Sequence, residues 1–155
     1  MTIRLISTIL ALLAAAPLAF AADSSPAPRA SDPYLERFDA AKGRQDWPGA
    51  AAVMKEAVAA KPDNADYHNL YAYSLRKGGT KEMDLVFREY NEALRLDPKH
   101  RGAHEYLGEA YLMVGNVAKA KDELAALDKI CFLPCGEYSD LKAAISQYET
   151  RAAAK

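Results

Sequence analysis

The residues best suited to chemistry in this 155-residue chain are its two cysteines, Cys131 and Cys135, in the segment C-F-L-P-C. In an exported protein such a pair favours a structural disulfide, because oxidising compartments preserve these bonds. The closed loop is short, so loop entropy gives about 2 kcal/mol of stabilisation. Two alternatives stay open: a redox-active pair, and a Cu(I) site built on soft thiolates. Against both, the spacing is not C-x-x-C, and no His or Met lies within the loop.

The second candidate is a pair of histidines, His100 and His104, whose spacing of four can place two zinc ligands on one helix face. No third ligand accompanies them in the sequence. His104 is more simply interpreted as a large ring packed between helices, and His100 as a solvated residue at a helix start. We therefore predict neither a metal site nor a cofactor.

The sequence also lacks the common catalytic motifs. It contains no G-x-S-x-G, no glycine-rich phosphate loop and no H-E-x-x-H. Glu105 and Glu109 are interpreted as solvated acids on a helix face, and a cysteine nucleophile would need a positioned base. The prediction is a protein without enzymatic activity.

The segment that would position these side chains is repetitive. His104–Leu124 carries apolar, glycine and small residues at fixed intervals: Leu107, Gly108, Tyr111, Gly115, Ala120 and Leu124. Related copies run from His68 to Pro98 and from Tyr34 to Pro62, with Phe38 in the glycine position of the first copy. This spacing resembles the tetratricopeptide repeat (TPR), a helix–turn–helix unit that stacks on its neighbours. The resemblance implies an all-α solenoid of about three αα-hairpins, with repeats near 31–64, 65–100 and 101–134.

Periodicity and helix-end signals place the helices. Leu107, Tyr111 and Val114 form one apolar stripe, and Gly108 lets a second helix pack close to the first. In Asp32-Pro33 and Asp97-Pro98, the aspartate is expected to cap a helix that begins at the proline. A terminal amphipathic helix at 137–152, with Leu141, Ile145 and Tyr148 on one face, is predicted to cap the last repeat. No segment is predicted to be a strand.

The N-terminus has the pattern of a cleaved signal peptide at 1–21. Arg4 precedes the apolar run Leu5–Ala16, and Ala19-Phe20-Ala21 forms a small-x-small cleavage site. The alternative, an uncleaved anchor, would need an apolar stretch of about 20 residues. We therefore expect a periplasmic or secreted protein, with a flexible linker at 22–31 and a TPR domain at 32–152.

The charge balance, with 20 basic and 21 acidic residues, gives no electrostatic footprint for nucleic acid or an anionic membrane surface. The TPR resemblance implies that the first helix of each repeat lines a concave groove. The positions implied to contact a partner are Asp66, Asn69, Tyr73, Arg76, Lys77, Glu105, Glu109, Leu112 and Met113.

The acids among these positions favour a basic or extended segment with apolar anchors. The predicted function is a scaffold that binds a protein or peptide in this groove in the periplasm. The alternative is a thiol redox or copper-handling protein that uses Cys131 and Cys135.

Overall fold

Residues 32–133 and 135–154 are described by a computed structural model and form seven α-helices. These are α1 (Pro33–Gly43), α2 (Trp47–Ala60), α3 (Ala65–Lys77), α4 (Met83–Leu96), α5 (Arg101–Met113), α6 (Val117–Ile130) and α7 (Gly136–Ala153). These two stretches contain no β-strand, and none of their helices combines the length and hydropathy needed to cross a membrane. The predicted all-α fold of three helix pairs and a terminal helix is confirmed. The predicted signal peptide at 1–21 and linker at 22–31 lie outside the described residues.

Each helix packs on the next along the chain, and α7 packs on both α5 and α6. The interior is divided into three clusters, one for each step of the stack. Representative fully or nearly fully buried side chains are Phe38 and Met54 in the first, Val86 and Tyr90 in the second, and Leu127 and Leu141 in the third. This serial core is the arrangement expected of a repeat solenoid, in which each unit contacts only its neighbours.

The two predicted acid–proline helix starts have different outcomes. At the first, α1 begins at Pro33, and a side-chain oxygen of Asp32 accepts hydrogen bonds from the amides of Tyr34 and Leu35. At the second, the prediction is wrong because α5 begins at Arg101. Asp97 instead ends α4, where its amide donates to the Ala93 carbonyl. Its carboxylate accepts from the Lys99 amide at 2.9 Å, which keeps Pro98 in a turn.

The apolar stripe predicted on α5 is correct at Leu107 and wrong at its end. Leu107 is buried, whereas Val114 is 50% exposed because α5 ends at Met113 and the chain turns there. Gly115 has φ +77°, which suits glycine in this turn. Gly108 does permit a close approach, and the approaching helix is α7. A Cβ at Gly108 would lie 2.6 Å from the Leu141 Cδ2 atom.

Candidate functional site

A groove of about 390 Å³ lies at the C-terminal ends of α3 and α5, beside the second half of α7. Its lining residues are Arg76, Lys77, Glu109, Leu112, Met113, Ala144, Gln147, Tyr148 and Arg151. Five of the nine predicted contact positions therefore come together in one cavity. The four residues from α7 were missed, because the sequence assigned that helix only the role of covering the last repeat.

Arg76 is the structural centre of this groove. Its side chain is 8% exposed, and its guanidinium lies 2.6 Å from the Glu109 Oε2 atom in a salt bridge. Its Nε atom donates to the Tyr90 hydroxyl at 3.3 Å. The guanidinium also lies 5.8 Å from the ring centroid of Tyr73 and 5.6 Å from that of Tyr106. The buried guanidinium of Arg76 therefore joins α3, α4 and α5. Its charge is paired within the protein, with Glu109.

Glu105 and Glu109 were expected to be ordinary solvated acids, and that interpretation is wrong. Glu109 is paired with Arg76, and Glu105 is 8% exposed. Burial, followed by repulsion from Glu109, Asp140 and Glu137, raises the pKa of Glu105 to about 7, with Arg76 opposing the rise. Two of these carboxylates belong to α7, which packs on α5. The sequence did not show that α7 packs on α5 and brings these carboxylates close to Glu105.

The exposed basic side chains of the groove and the acidic side chains of α3 and α7 lie at different ends of their helices. Lys77 and Arg151 are exposed and line the cavity at the C-terminal ends of the helices. Glu137 and Asp140 lie on the first turns of α7, and Asp66 lies on the first turn of α3. The lining of the groove thus differs from the acidic contact surface expected from the sequence, because exposed Lys77 and Arg151 lie beside Leu112 and Met113.

The remaining predicted contact positions do not line this cavity. Asn69 is 5% exposed, and its Oδ1 atom lacks a hydrogen-bond partner among the described residues. Tyr73 is half-buried against Tyr106, with 4.8 Å between ring centroids. The exposed carboxylate of Asp66 lies 3.0 Å from the Nε2 atom of His100. These side chains build the wall between α3 and α5, and of the three only Asp66 is exposed.

The cysteine pair lies at the junction of α6 and α7. Cys131 caps the end of α6, Cys135 precedes α7, and their sulfurs are at the bonding distance of a disulfide, with Cα atoms 5.9 Å apart. Phe132 and Leu133, within the closed loop, are 99% and 72% exposed. In residues 32–133 and 135–154, no three His, Cys, Asp or Glu side chains are arranged to hold a metal ion.

The two histidines considered as zinc ligands are both engaged within the protein. His104 is buried, and both of its ring nitrogens form hydrogen bonds. His100 was expected to be solvated, yet its side chain is only 13% exposed. Its Nδ1 atom accepts from the Ala103 amide at 3.1 Å, so the ring caps α5. The expectation of a solvated His100 is wrong because the ring takes the capping role assigned to Asp97.

Comparison with known proteins supports the fold. No protein-family model matches the chain. The TPR repeat-containing thioredoxin TTL4 of Arabidopsis thaliana is 28% identical over 93 residues, which are 60% of this chain and 13% of that protein's length. The chain therefore aligns with only a small part of this relative.

Solved structures cover more of the chain. The TPR2B domain of yeast Sti1, in a pHsp70 complex, superposes with a TM-score of 0.68 at 18% identity, over 76% of this chain and 94% of that one. The first TPR of Spaghetti (RPAP3), bound to the HSP90 peptide SRMEEVD, gives 0.65 at 16% identity, over 76% and 90%. The translocator chaperone SycD of Yersinia enterocolitica gives 0.62 at 16% identity, over 78% and 92%. With its three stacked helix pairs, the chain has the tetratricopeptide-repeat fold.

Proposed function

We propose that this chain is a non-enzymatic interaction module that binds a segment of a protein or peptide in the groove between α3, α5 and α7. The observation that carries the proposal is the groove itself, where apolar Leu112 and Met113 lie beside exposed cations on a framework fixed by Arg76. Two of the similar solved structures are TPR domains in complexes with a pHsp70 and an HSP90 peptide, which supports this class of function.

The chemistry of the groove favours an extended segment with an apolar anchor next to an acidic group. The anchor would contact Leu112, Met113 and Tyr148, and the acidic group would face Lys77 and Arg151. Basic residues of the same segment would then lie toward Glu137 and Asp140. Such an arrangement uses charge complementarity to set the direction of the bound segment.

Export to the periplasm is part of the proposal and rests on the signal-like pattern of residues 1–21. Cell fractionation followed by N-terminal sequencing tests it. The expected result is a periplasmic protein whose first residue is Ala22. A protein that stays in the cytoplasm with Met1 or Thr2 at its N-terminus would contradict export and leave the groove proposal to its own test.

Selection from a random peptide library, followed by affinity measurement, tests binding in the groove. We expect selected peptides to combine an acidic and an apolar residue, and Met113→Glu or Lys77→Glu to weaken binding about tenfold or more. Lys55→Glu is the matched control, because Lys55 is exposed on α2, away from the groove. Equal losses in the control, or selected peptides insensitive to both groove variants, would contradict the proposal.

A further inference from the structure

Two of the three histidines occupy the same structural position in successive repeats. His68 on α3 lies 2.7 Å through Nδ1 from the Glu89 Oε2 atom, and 2.9 Å through Nε2 from the Pro62 carbonyl oxygen. His104 on α5 lies 2.7 Å through Nδ1 from the Glu123 Oε2 atom, and its Nε2 lies 3.2 Å from the carbonyl oxygen of Pro98. Both histidines are buried, with 6% and 9% exposure.

These partners fix the number of protons in each arrangement. A backbone carbonyl oxygen can only accept, so each Nε2 atom must carry a proton and donate it. A carboxylate also only accepts, so a second proton must lie between Nδ1 and the glutamate. Each His–Glu pair therefore holds one proton more than a neutral imidazole beside a carboxylate.

His100 provides an internal contrast. Its Nδ1 atom accepts from the Ala103 amide, and only its Nε2 atom faces an acceptor, Asp66 Oδ1 at 3.0 Å. A neutral ring with one proton satisfies both contacts. The hydrogen-bond partners thus distinguish the two equivalent histidines from the third.

We propose that His68 and His104 act as paired proton-dependent locks, each tying the first helix of its repeat to the preceding turn and to the second helix. When the additional proton leaves, one ring nitrogen presents a lone pair to an oxygen, and one of the two hydrogen bonds is lost. The fold is then expected to loosen at the α3–α4 and α5–α6 joints as pH rises. This inference stands apart from the proposed groove function.

Charged groups of both signs surround the two rings, and the acidic ones are in the majority. Around His68, α4 contributes Glu89, Glu92 and Arg88, with the Arg88 Nε atom 3.6 Å from Glu89 Oε1. Around His104, Glu123 comes from α6 and Asp97 from the end of α4, while Lys99, Asp122 and Lys129 line the same cavity. Burial lowers the pKa of His104, but the hydrogen bonds to Glu123 and the Pro98 carbonyl outweigh it and raise the pKa overall. The stabilisation from His104 is thus complete below a pH of about 6.5, the value for an unfolded histidine, and is lost as pH rises through the folded-state pKa.

Imidazole nitrogen NMR on the full chain tests the proton count directly. At a pH of about 6.5, the ordinary pKa of histidine, we expect the doubly protonated ring to predominate in His104, whose pKa is raised. The hydrogen-bond partners give the expectation of two N–H groups for His68 and of one for His100. A predominantly unprotonated nitrogen in the folded-state ring of His104 at this pH would overturn the proposal.

Urea unfolding between about pH 5.5 and 8.5 tests the coupling to stability. Every chain should carry Glu105→Gln, because the pKa of Glu105, about 7, would otherwise add its own pH dependence. Because each lock releases one proton, it can raise the equilibrium constant for unfolding by at most about tenfold for each unit of pH increase. The His68→Gln/His104→Gln variant should lose that steepness, whereas His100→Asn, which keeps a capping side chain, should retain it. A double variant as pH-dependent as its parent would contradict the proposal, and NMR on the parent keeps the test valid if that variant does not fold.

Discussion

The first and third repeats place chemically opposite residues at equivalent positions. Where the first has Tyr34, Leu35 and Phe38, the third has His104, Glu105 and Gly108. The first set packs by apolar contact, with Phe38 3% exposed and Tyr34 edge-on to Tyr67 at 5.9 Å. The third set provides a hydrogen-bonded ring, a buried carboxyl group and the space for α7. The same helix–turn–helix backbone thus accommodates an apolar set of side chains in the first repeat and a polar set in the third. The polar set lies where α7 meets the groove.

The greatest loss of stability is expected from a change in the apolar first repeat. Phe38→Ala removes a buried ring from the first core cluster, and we expect a loss of about 3–4 kcal/mol in the free energy of unfolding. Chemical denaturation monitored by circular dichroism measures it. The neighbouring Asp39→Ala, at an exposed position, should change stability by less than about 0.5 kcal/mol. A loss below about 1 kcal/mol for Phe38→Ala would mean that the first repeat contributes little to the cooperative fold.

The opposite change, insertion of a side chain at the equivalent Gly108, should lower stability by a smaller amount. Gly108→Val pushes side-chain atoms into the fully buried Leu141, so we expect a loss of about 2–3 kcal/mol from overpacking. Gly43→Val is the control, since a Cβ there has no neighbour within 4 Å. The same denaturation measurement applies. Equal stability of the two variants would show that α7 does not depend on this close contact.

The disulfide distinguishes the third repeat from the first, because it ties α7 to the third repeat. Cys131→Ser/Cys135→Ser should lower the free energy of unfolding by about 2 kcal/mol while leaving peptide binding intact. Parallel denaturation and affinity measurements separate the structural role from the redox or copper alternative. Lost binding, or tight Cu(I) binding by the reduced parent, would favour that alternative.

The smallest change in the free energy of unfolding is expected for Glu105, whose equivalent in the first repeat is Leu35. The folded-state pKa of about 7 exceeds the usual value of 4.5, so the folded chain binds more protons between these values and loses stability as pH rises through them. Glu105→Gln should therefore gain about 1–2 kcal/mol relative to the parent near pH 8, after allowance for solvent screening, and almost nothing near pH 4. Unfolding at the two pH values measures the difference, and a gain that is equal at both would contradict the buried-carboxyl interpretation.

The sequence predicted the fold well because the repeat is encoded in many weak signals that agree. Small and apolar residues recur at 34- and 36-residue intervals, so one ambiguous position, such as Phe38 in the glycine slot, does not change the interpretation. The helix start at Asp97-Pro98 was wrong because a local capping signal competed with the end of α4, and local sequence does not determine which wins.

The site was predicted less well, because its properties depend on contacts between distant segments. The pairing of Arg76 with Glu109, 33 positions away, holds the Arg76 charge inside the protein and engages the partly exposed Glu109 carboxylate. Glu105 is buried only because α7 packs on α5. The partners of His68 and His104 could in part have been anticipated, since Glu89 and Glu123 lie 21 and 19 residues after them in matching positions on the second helices.

The buried guanidinium of Arg76 has a consequence for kinetics. Since it joins α3, α4 and α5 within the protein itself, the wall of the groove is already assembled when a ligand approaches. Association should then proceed in a single concentration-dependent phase, with a rate constant set by encounter and by salt rather than by a preceding rearrangement.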